Sequence, residues 1–523
     1  MPLKTYKNFK GVENAIPESE IDMEAFVKLQ NIHYKDGRLR KLPGLVEINS
    51  TKIGTDPVSA IFKSHQVVPN LNHRIAVAGS QVYKFNTSTN VFDSIHSGLK
   101  VHDDSFSNTY LEFLEYPPYL YMGSNENRWR RFDGGTTLQP VGSNAGTAAT
   151  DPRLYSRIIF SPYAGRFFGI GNKLNPDYLE WSDHIDTNGI EQWPTGNIQI
   201  VQSTGGDVPL EIDIFEGRIS IFSKNSINSG TVSGVPEGWT FEREKSQTGA
   251  IARRSIKRWG SSFLMLTPDF EVYLWPQDIF VTYKAVDGGR RRKRVKFNID
   301  PNRAYLACAE IVENRYYYLS FESGSNEPDD DYHLWIYDIL ADQWSGPHIG
   351  YNVVSMFWDK DENLLNCGGA GSAGQAGDLS GYVMEHRGRD IRNRKSKVHF
   401  ITSYNDYGSP VIDKRFNNLW LTAKQEGSLG GVGQLELITN VDGAYDQSQA
   451  QRVTLEDPAN DNPMDTSAVK VAVTKRGYIH DAGGRGTRIQ LEGKHEVQGG
   501  DLEISEFSIE YDLKKYKKEN RAA

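Results

Sequence analysis

Apolar and polar residues alternate with a period of two through runs of four to eight residues along most of this chain, and Gly and Pro separate the runs. Arg74-Ile75-Ala76-Val77-Ala78, Val82-Tyr83-Lys84-Phe85, Leu111-Glu112-Phe113-Leu114, Ile219-Ser220-Ile221-Phe222 and Leu334-Trp335-Ile336-Tyr337-Asp338 are examples. Each predicts a short strand bounded by turn residues, so the expected fold class is all-β. One segment, Ser19 to Asn31, reads as a helix, with Ser19 as cap and Ile21, Phe26, Val27 and Leu29 on one face. Directly after it, Tyr34 to Gly44 carries Asp36-Gly37 between two short strands and Pro43-Gly44 at the end, which predicts a hairpin closed by a turn.

From residue 51 to 397 an aromatic-bearing strand, a polar turn and a strand ending near Trp or Phe recur at uneven spacing, as in Val82 to Phe92, Leu120 to Phe132, Tyr178 to Trp193 and His333 to Trp344. Two strands joined through Ala341-Asp342 would place Trp335 and Trp344 against neighbouring sheets. This degenerate repetition predicts an irregular β-propeller; a pair of β-sandwiches is the alternative. Beyond residue 397 the alternation is cleaner, in Leu419, Leu421, Ala423, then Val469, Val471, Val473, then Leu502, Ile504. Phe507, Ile509 and Tyr511 continue in the opposite phase, so a bulge near Ser505-Glu506 is needed to keep one face inward. The expected organisation is an N-terminal arm (1–50), an irregular β-propeller (51–397), an antiparallel β-sandwich (398–512) and a charged tail (513–523).

Composition adds limits. The 10 Trp, 26 Tyr and 23 Phe suit aromatic-rich strands. A formal charge of −8 from 59 basic and 67 acidic residues excludes a strongly basic nucleic-acid coat. Two cysteines, Cys308 and Cys367, exclude a disulfide framework. Neither an apolar leader follows Met1 nor does any run approach the roughly 18 apolar residues of a membrane helix, so a soluble protein made in a cytosol, without membrane insertion, is expected.

No motif points to catalysis. The 12 histidines lack zinc-site spacing. The acidic run Glu327 to Asp331 lacks the alternating ligands of a calcium loop, and the glycine-rich stretch 367–378 lacks the Lys-Ser/Thr of a phosphate loop. The Gly-x-Ser-x-Gly elbow is missing, and Trp181 to Trp193 does not keep the register of the sialidase-type propeller turn. Hence no catalytic residue, no metal ligand and no cofactor is predicted, and the chain reads as a non-enzyme. Two basic clusters stand out. Arg290, Arg291, Arg292, Lys293 and Arg294 repel one another and call for solvent or anions, so they are candidates for contact with DNA or an acidic subunit; the alternative is an exposed hairpin tip. Arg387, Arg389, Arg392, Arg394 and Lys395 form a candidate interface patch at the expected domain junction.

The order of segments resembles that of the tail nozzle, or tail-hub, proteins of short-tailed bacteriophages. The resemblance rests on Asn31 to Gly44, Leu179-Glu180-Trp181-Ser182-Asp183, Glu216 to Ile227, Thr248 to Ile256, Phe263 to Asp269, and Gly484-Arg485-Gly486-Thr487-Arg488 running on to Tyr511. It implies a structural virion protein assembled in the host cytoplasm: a homo-oligomeric ring, usually a hexamer, below a portal or adaptor ring. Tail fibres or a needle would be its other partners, and genomic DNA would be retained and ejected through its lumen. The net-acidic charge agrees, since a conduit should not hold phosphate tightly. The Arg290 to Arg294 run does not map onto the family pattern. The alternative function is a carbohydrate-binding or carbohydrate-cleaving β-propeller, motivated by the aromatic content.

Overall fold

The computed structural model describes residues 3–6, 9–17, 20–64, 73–100, 110–141, 154–185, 191–194, 196–201, 207–232, 235–244, 248–286, 290–325, 331–371, 378–392, 396–405, 414–426, 433–441, 451–455, 477–479, 485–486, 488–496 and 501–513. These residues form antiparallel strands throughout, with single 3-10 turns and no α-helix among them. No described helix is long and apolar enough to cross a membrane.

Among the described residues seven blades follow one another, each a four-stranded meander whose first strand is innermost. Those inner strands are Val58–Ser64, Glu112–Tyr116, Arg157–Ser161, Pro209–Phe215, Lys257–Trp259, Cys308–Val312 and Val353–Asp359. Blade 7 takes only three strands from its own stretch of chain. Its fourth, Gly44–Glu47, comes from the N-terminal region and pairs with Val383–Gly388. The ring closes chemically as well as topologically. The Ser355 hydroxyl donates to the Val58 carbonyl at 2.7 Å across the junction of blades 7 and 1, where Lys63 also ion-pairs with Asp359. Ser320 donates to the Val353 carbonyl at 2.6 Å between blades 6 and 7, and Phe62 stacks on Phe113 at 5.2 Å between blades 1 and 2.

The second unit is a sandwich. One sheet runs Phe26–Gln30, Val398–Thr402, Ile489–His495, Gly433–Val441 and Gln451–Leu455, and through Leu29 opposite Gly346 it continues the outer edge of blade 6. The other contains Leu3–Tyr6, Ile32–Lys35, Arg38–Lys41, Asp501–Leu513 and Lys414–Glu426. Phe9, Phe26, Phe400, Leu437, Leu491, Ile504 and Phe507 fill the space between the sheets, and the same core runs on into Trp335, Trp344 and Phe297 beside blade 6. The trace is thus the all-β propeller-plus-sandwich that the alternation predicts.

Two local expectations are met in register. Asp36 and Gly37 both take positive φ (52° and 82°), the two-residue turn that suits the twist of a hairpin, between Ile32–Lys35 and Arg38–Lys41. In Asp501–Leu513 the pairing jumps from Glu506 opposite Thr422 to Ile504 opposite Ala423, so Ser505 is the bulge that brings Leu502, Ile504, Phe507 and Ile509 all inward. The expected helix is corrected. Ser19 lies outside the described residues, and Phe26–Gln30 is a strand paired with His399 to Thr402. Its helical spacing of apolar residues is outweighed by two flanking strands that satisfy its backbone from far along the chain.

Candidate functional site: the propeller channel and its mouth

Along each inner strand alternate side chains point to the blade interior and to the axis. At seven blades the axial side chains do not meet, and they enclose a cavity of about 340 Å³ touched by every blade. Its wall is charged. Glu112, Arg157, Glu211, Asp213, Lys257, Arg258 and Glu310 come from the inner strands of blades 2 to 6, and Arg253 and Arg254 from the short 3-10 turn that leads into blade 5. Five cations therefore face four carboxylates inside a chain that is acidic as a whole.

The charges form a chain around the ring. Arg157 reaches Glu112 at 3.3 Å on blade 2 and Glu211 at 3.0 Å on blade 4. Arg253 holds Glu112 at 2.9 Å, Arg258 holds Asp213 at 3.1 Å and Lys257 holds Glu310 at 3.2 Å. The carboxylates respond differently to their surroundings. Burial works against ionisation of Glu112, but Arg253, Arg157 and Arg254 overcome it and keep its carboxyl below the usual range. For Glu211 burial prevails over Arg157, the charge of Glu112 adds to it, and the carboxyl is pushed up to about 7.

Above the channel, at the N-terminal ends of the inner strands, lies a second cavity of about 160 Å³. Tyr110 and Tyr305 stand at its sides with Leu210 and Ile251, and the loop Ser124 to Asn127 of blade 2 forms a polar rim. That loop is fixed by Asn127, which accepts from the Lys100 N–H at 2.7 Å and donates to the Lys100 carbonyl at 3.0 Å. Glu126 on the rim binds Lys100 at 3.0 Å and Lys173 at 2.7 Å. Arg253 and Arg254 line both cavities and so mark the floor of the mouth and the roof of the channel.

Arg254 differs from its neighbours. It donates to the carbonyls of Ser59 (2.7 Å) and Leu306 (3.2 Å), and its guanidinium lies 4.4 Å from the centre of the Tyr110 ring. No carboxylate of the described residues is in ion-pair contact with it, and its charge acts on Glu112 only across the cavity.

The basic clusters singled out in the sequence are elsewhere, and neither lines the channel. Arg290 and Arg291 are exposed at the edge of a small hairpin. Arg292 pairs with Glu20 at 2.9 Å, Lys293 with Glu271, and Arg294 is buried with Asp342 and the Val281 carbonyl. Arg387 pairs with Glu385 at 2.6 Å, Arg389 is exposed, and Arg392 lies 3.7 Å from the centre of the Tyr382 ring; Arg394 and Lys395 fall outside the described residues. Among the described residues no group of three or more His, Cys, Asp or Glu could hold a metal ion. Glu112, Arg157, Glu211, Asp213 and Glu310 went unmarked in the sequence because each sits at a polar step of an inner strand, where it reads as a solvent-facing residue.

No family model matches this chain, and no curated protein matches it. Solved structures do. One is the extracellular domain of a candidate one component system from B. thetaiotaomicron, with a TM-score of 0.42 and 10% identity over 85% of this chain and 60% of that one. Another is the extracellular domain of a candidate hybrid two component system from the same organism, with a TM-score of 0.42 and 10% identity over 83% and 59%. The chain thus spans about 60% of the length of the solved chains it matches. Both are described as extracellular domains of such systems and neither as a phage tail protein, which corrects the tail-nozzle resemblance together with the virion location and the DNA-ejection role drawn from it. The segments that carried the resemblance are local devices of the fold. Asp36-Gly37 and Glu216-Gly217 are both two-residue hairpin turns with positive φ, and Phe263 to Leu266 is the buried second strand of blade 5, features common to β-folds with short hairpins.

Proposed function

We propose that this chain is a carbohydrate-binding β-propeller that holds a saccharide at the channel mouth and does not cleave it. The observation that carries the reading is the mouth itself, where Tyr110 and Tyr305 stand beside the amide- and hydroxyl-bearing loop Ser124 to Asn127. Sugars present apolar C–H faces and a rim of hydroxyls, and a cavity with aromatic walls and few fixed polar groups is matched to both. Tyr305 is 44% exposed, so its ring is within reach of a ligand arriving from solvent. Against cleavage stands the engagement of all four channel carboxylates by cations of the wall. A carboxylate held in an ion pair is hindered from approaching a glycosidic bond as nucleophile.

A glycan array followed by calorimetry on the best binder tests this. Saccharide binding is expected, and Tyr305→Ala should weaken it by about tenfold, near 1.4 kcal/mol. Silence across the array, or unchanged affinity in Tyr305→Ala, would overturn the reading, and release of reducing ends during incubation would overturn the claim that the sugar is left intact.

A further inference from the structure

We infer that the saccharide is an acidic one, and that Arg254 receives its carboxylate on the floor of the mouth. This rests on the carbohydrate reading above and names the class of sugar that the site would take.

The argument starts from donors. A guanidinium carries five N–H groups in a planar fork. Two of those on Arg254 are directed to the carbonyls of Ser59 and Leu306, which pin the group between blades 1 and 6 and leave three for a ligand. Carbonyls orient the group but do not cancel its charge. The other wall cations, Arg157, Arg253, Lys257 and Arg258, are each paired with a carboxylate of the wall. Arg254 is the one that is not, and it lines the mouth as well as the channel. With Arg254 included the cavity wall has five cations to four carboxylates, so Arg254 is itself the excess. A partly desolvated charge held rigid beside an aromatic wall favours a planar anion that can accept two parallel hydrogen bonds. The Tyr110 ring, 4.4 Å from the guanidinium, flanks the fork, and Tyr305 in the same cavity offers a ring to the sugar.

The test uses matched pairs that differ only in charge: hexagalacturonate against its methyl ester, and sialyl-lactose against lactose, titrated into the full chain. At least one acidic member should bind about tenfold or more tightly than its neutral partner. That preference should shrink with rising salt. In Arg254→Gln it should vanish, and in Arg254→Lys it should survive in part. Since Arg254 also ties two blades, melting curves accompany both variants, and the salt dependence of the unaltered protein carries the test if Arg254→Gln does not fold. Equal affinity within both pairs would overturn the anionic subsite while leaving saccharide binding intact. Competition by inorganic phosphate as strong as by the acidic sugar would overturn the saccharide class. No binding of either member of either pair by a protein that binds other glycans would also sink the inference, and silence towards every glycan would sink the parent reading with it.

Discussion

Lys63 and Asp359 meet at the seam of the ring, with side chains 2% and 0% exposed, one from the inner strand of blade 1 and the other from blade 7. The pair is joined by Glu362, 2.7 Å from the Lys63 ammonium, and Asp359 also accepts from the Asp361 N–H at 3.0 Å, so the carboxylate organises the turn after its strand. A buried ion that loses its partner retains the full cost of its desolvation. Lys63→Met should therefore destabilise the chain by about 3–5 kcal/mol in urea unfolding. Adding Asp359→Asn, which keeps an acceptor for the turn but removes the stranded charge, should restore part of that loss; a double variant no more stable than the single one would refute the account. At this scale the sequence is least legible. Lys63, Arg157 and Glu211 occupy polar steps of alternating strands, and alternation cannot distinguish a side chain facing solvent from one facing the axis of a ring. Arg253-Arg254 was visible as a dipeptide, but its partners Glu112, Ser59 and Leu306 are on three other blades.

Elements were legible where the signal is local. The Asp36-Gly37 hairpin and the Ser505 bulge follow from turn chemistry and from a change of phase that a reader of the sequence can count. Phe26–Gln30 was misread because what makes it a strand, the backbones at 399–402 and 346, is more than 300 residues away. The same is true of Gly44–Glu47, which completes blade 7. There the chain approaches so closely that a Cβ on Gly44 would lie 2.0 Å from the Asp390 carbonyl oxygen. The Leu45 N–H donates to that same carbonyl at 3.0 Å, and the Arg392 N–H returns to the Leu45 carbonyl at 2.8 Å. Gly44→Ala must push two backbones apart and should cost about 1–3 kcal/mol. Gly37→Ala, whose Cβ meets nothing within 4 Å but whose φ is +82°, should cost about 1 kcal/mol. Hydrogen exchange separates the two: Gly44→Ala should raise exchange across blade 7, whereas Gly37→Ala should raise it only in the hairpin. Equal, confined effects would show that the borrowed strand does not help to hold the ring shut.

Propeller, closing strand and sandwich meet around three buried imidazoles: His33 on the hairpin, His348 at the end of blade 6 and His386 on blade 7. The Asn31 N–H donates to His348 Nδ1 at 2.9 Å, which requires an unprotonated nitrogen there. His33 Nδ1 and His386 Nε2 are buried without a hydrogen-bond partner. Burial lowers all three, aided by Lys35 beside His33 and His386, and by His33 and His386 beside His348. His386 is held at about 4 and His33 at about 3, against 6.5 in the unfolded chain. Between those limits the unfolded state binds more protons than the folded one, so stability is complete above about pH 6.5 and falls as the pH drops towards 4. Glu211 acts in the opposite sense: its raised carboxyl makes the folded state the better proton binder from its ordinary 4.5 up to about 7. One carboxyl cannot offset three imidazoles, so the net loss between pH 7 and pH 5 should be on the order of a few kcal/mol. Urea midpoints across that range measure it. His386→Gln should flatten the slope, because its amide carries no charge at any of these pH values, and a slope unchanged by that substitution would assign the acid sensitivity to other buried imidazoles, such as His495, which burial also holds at about 4.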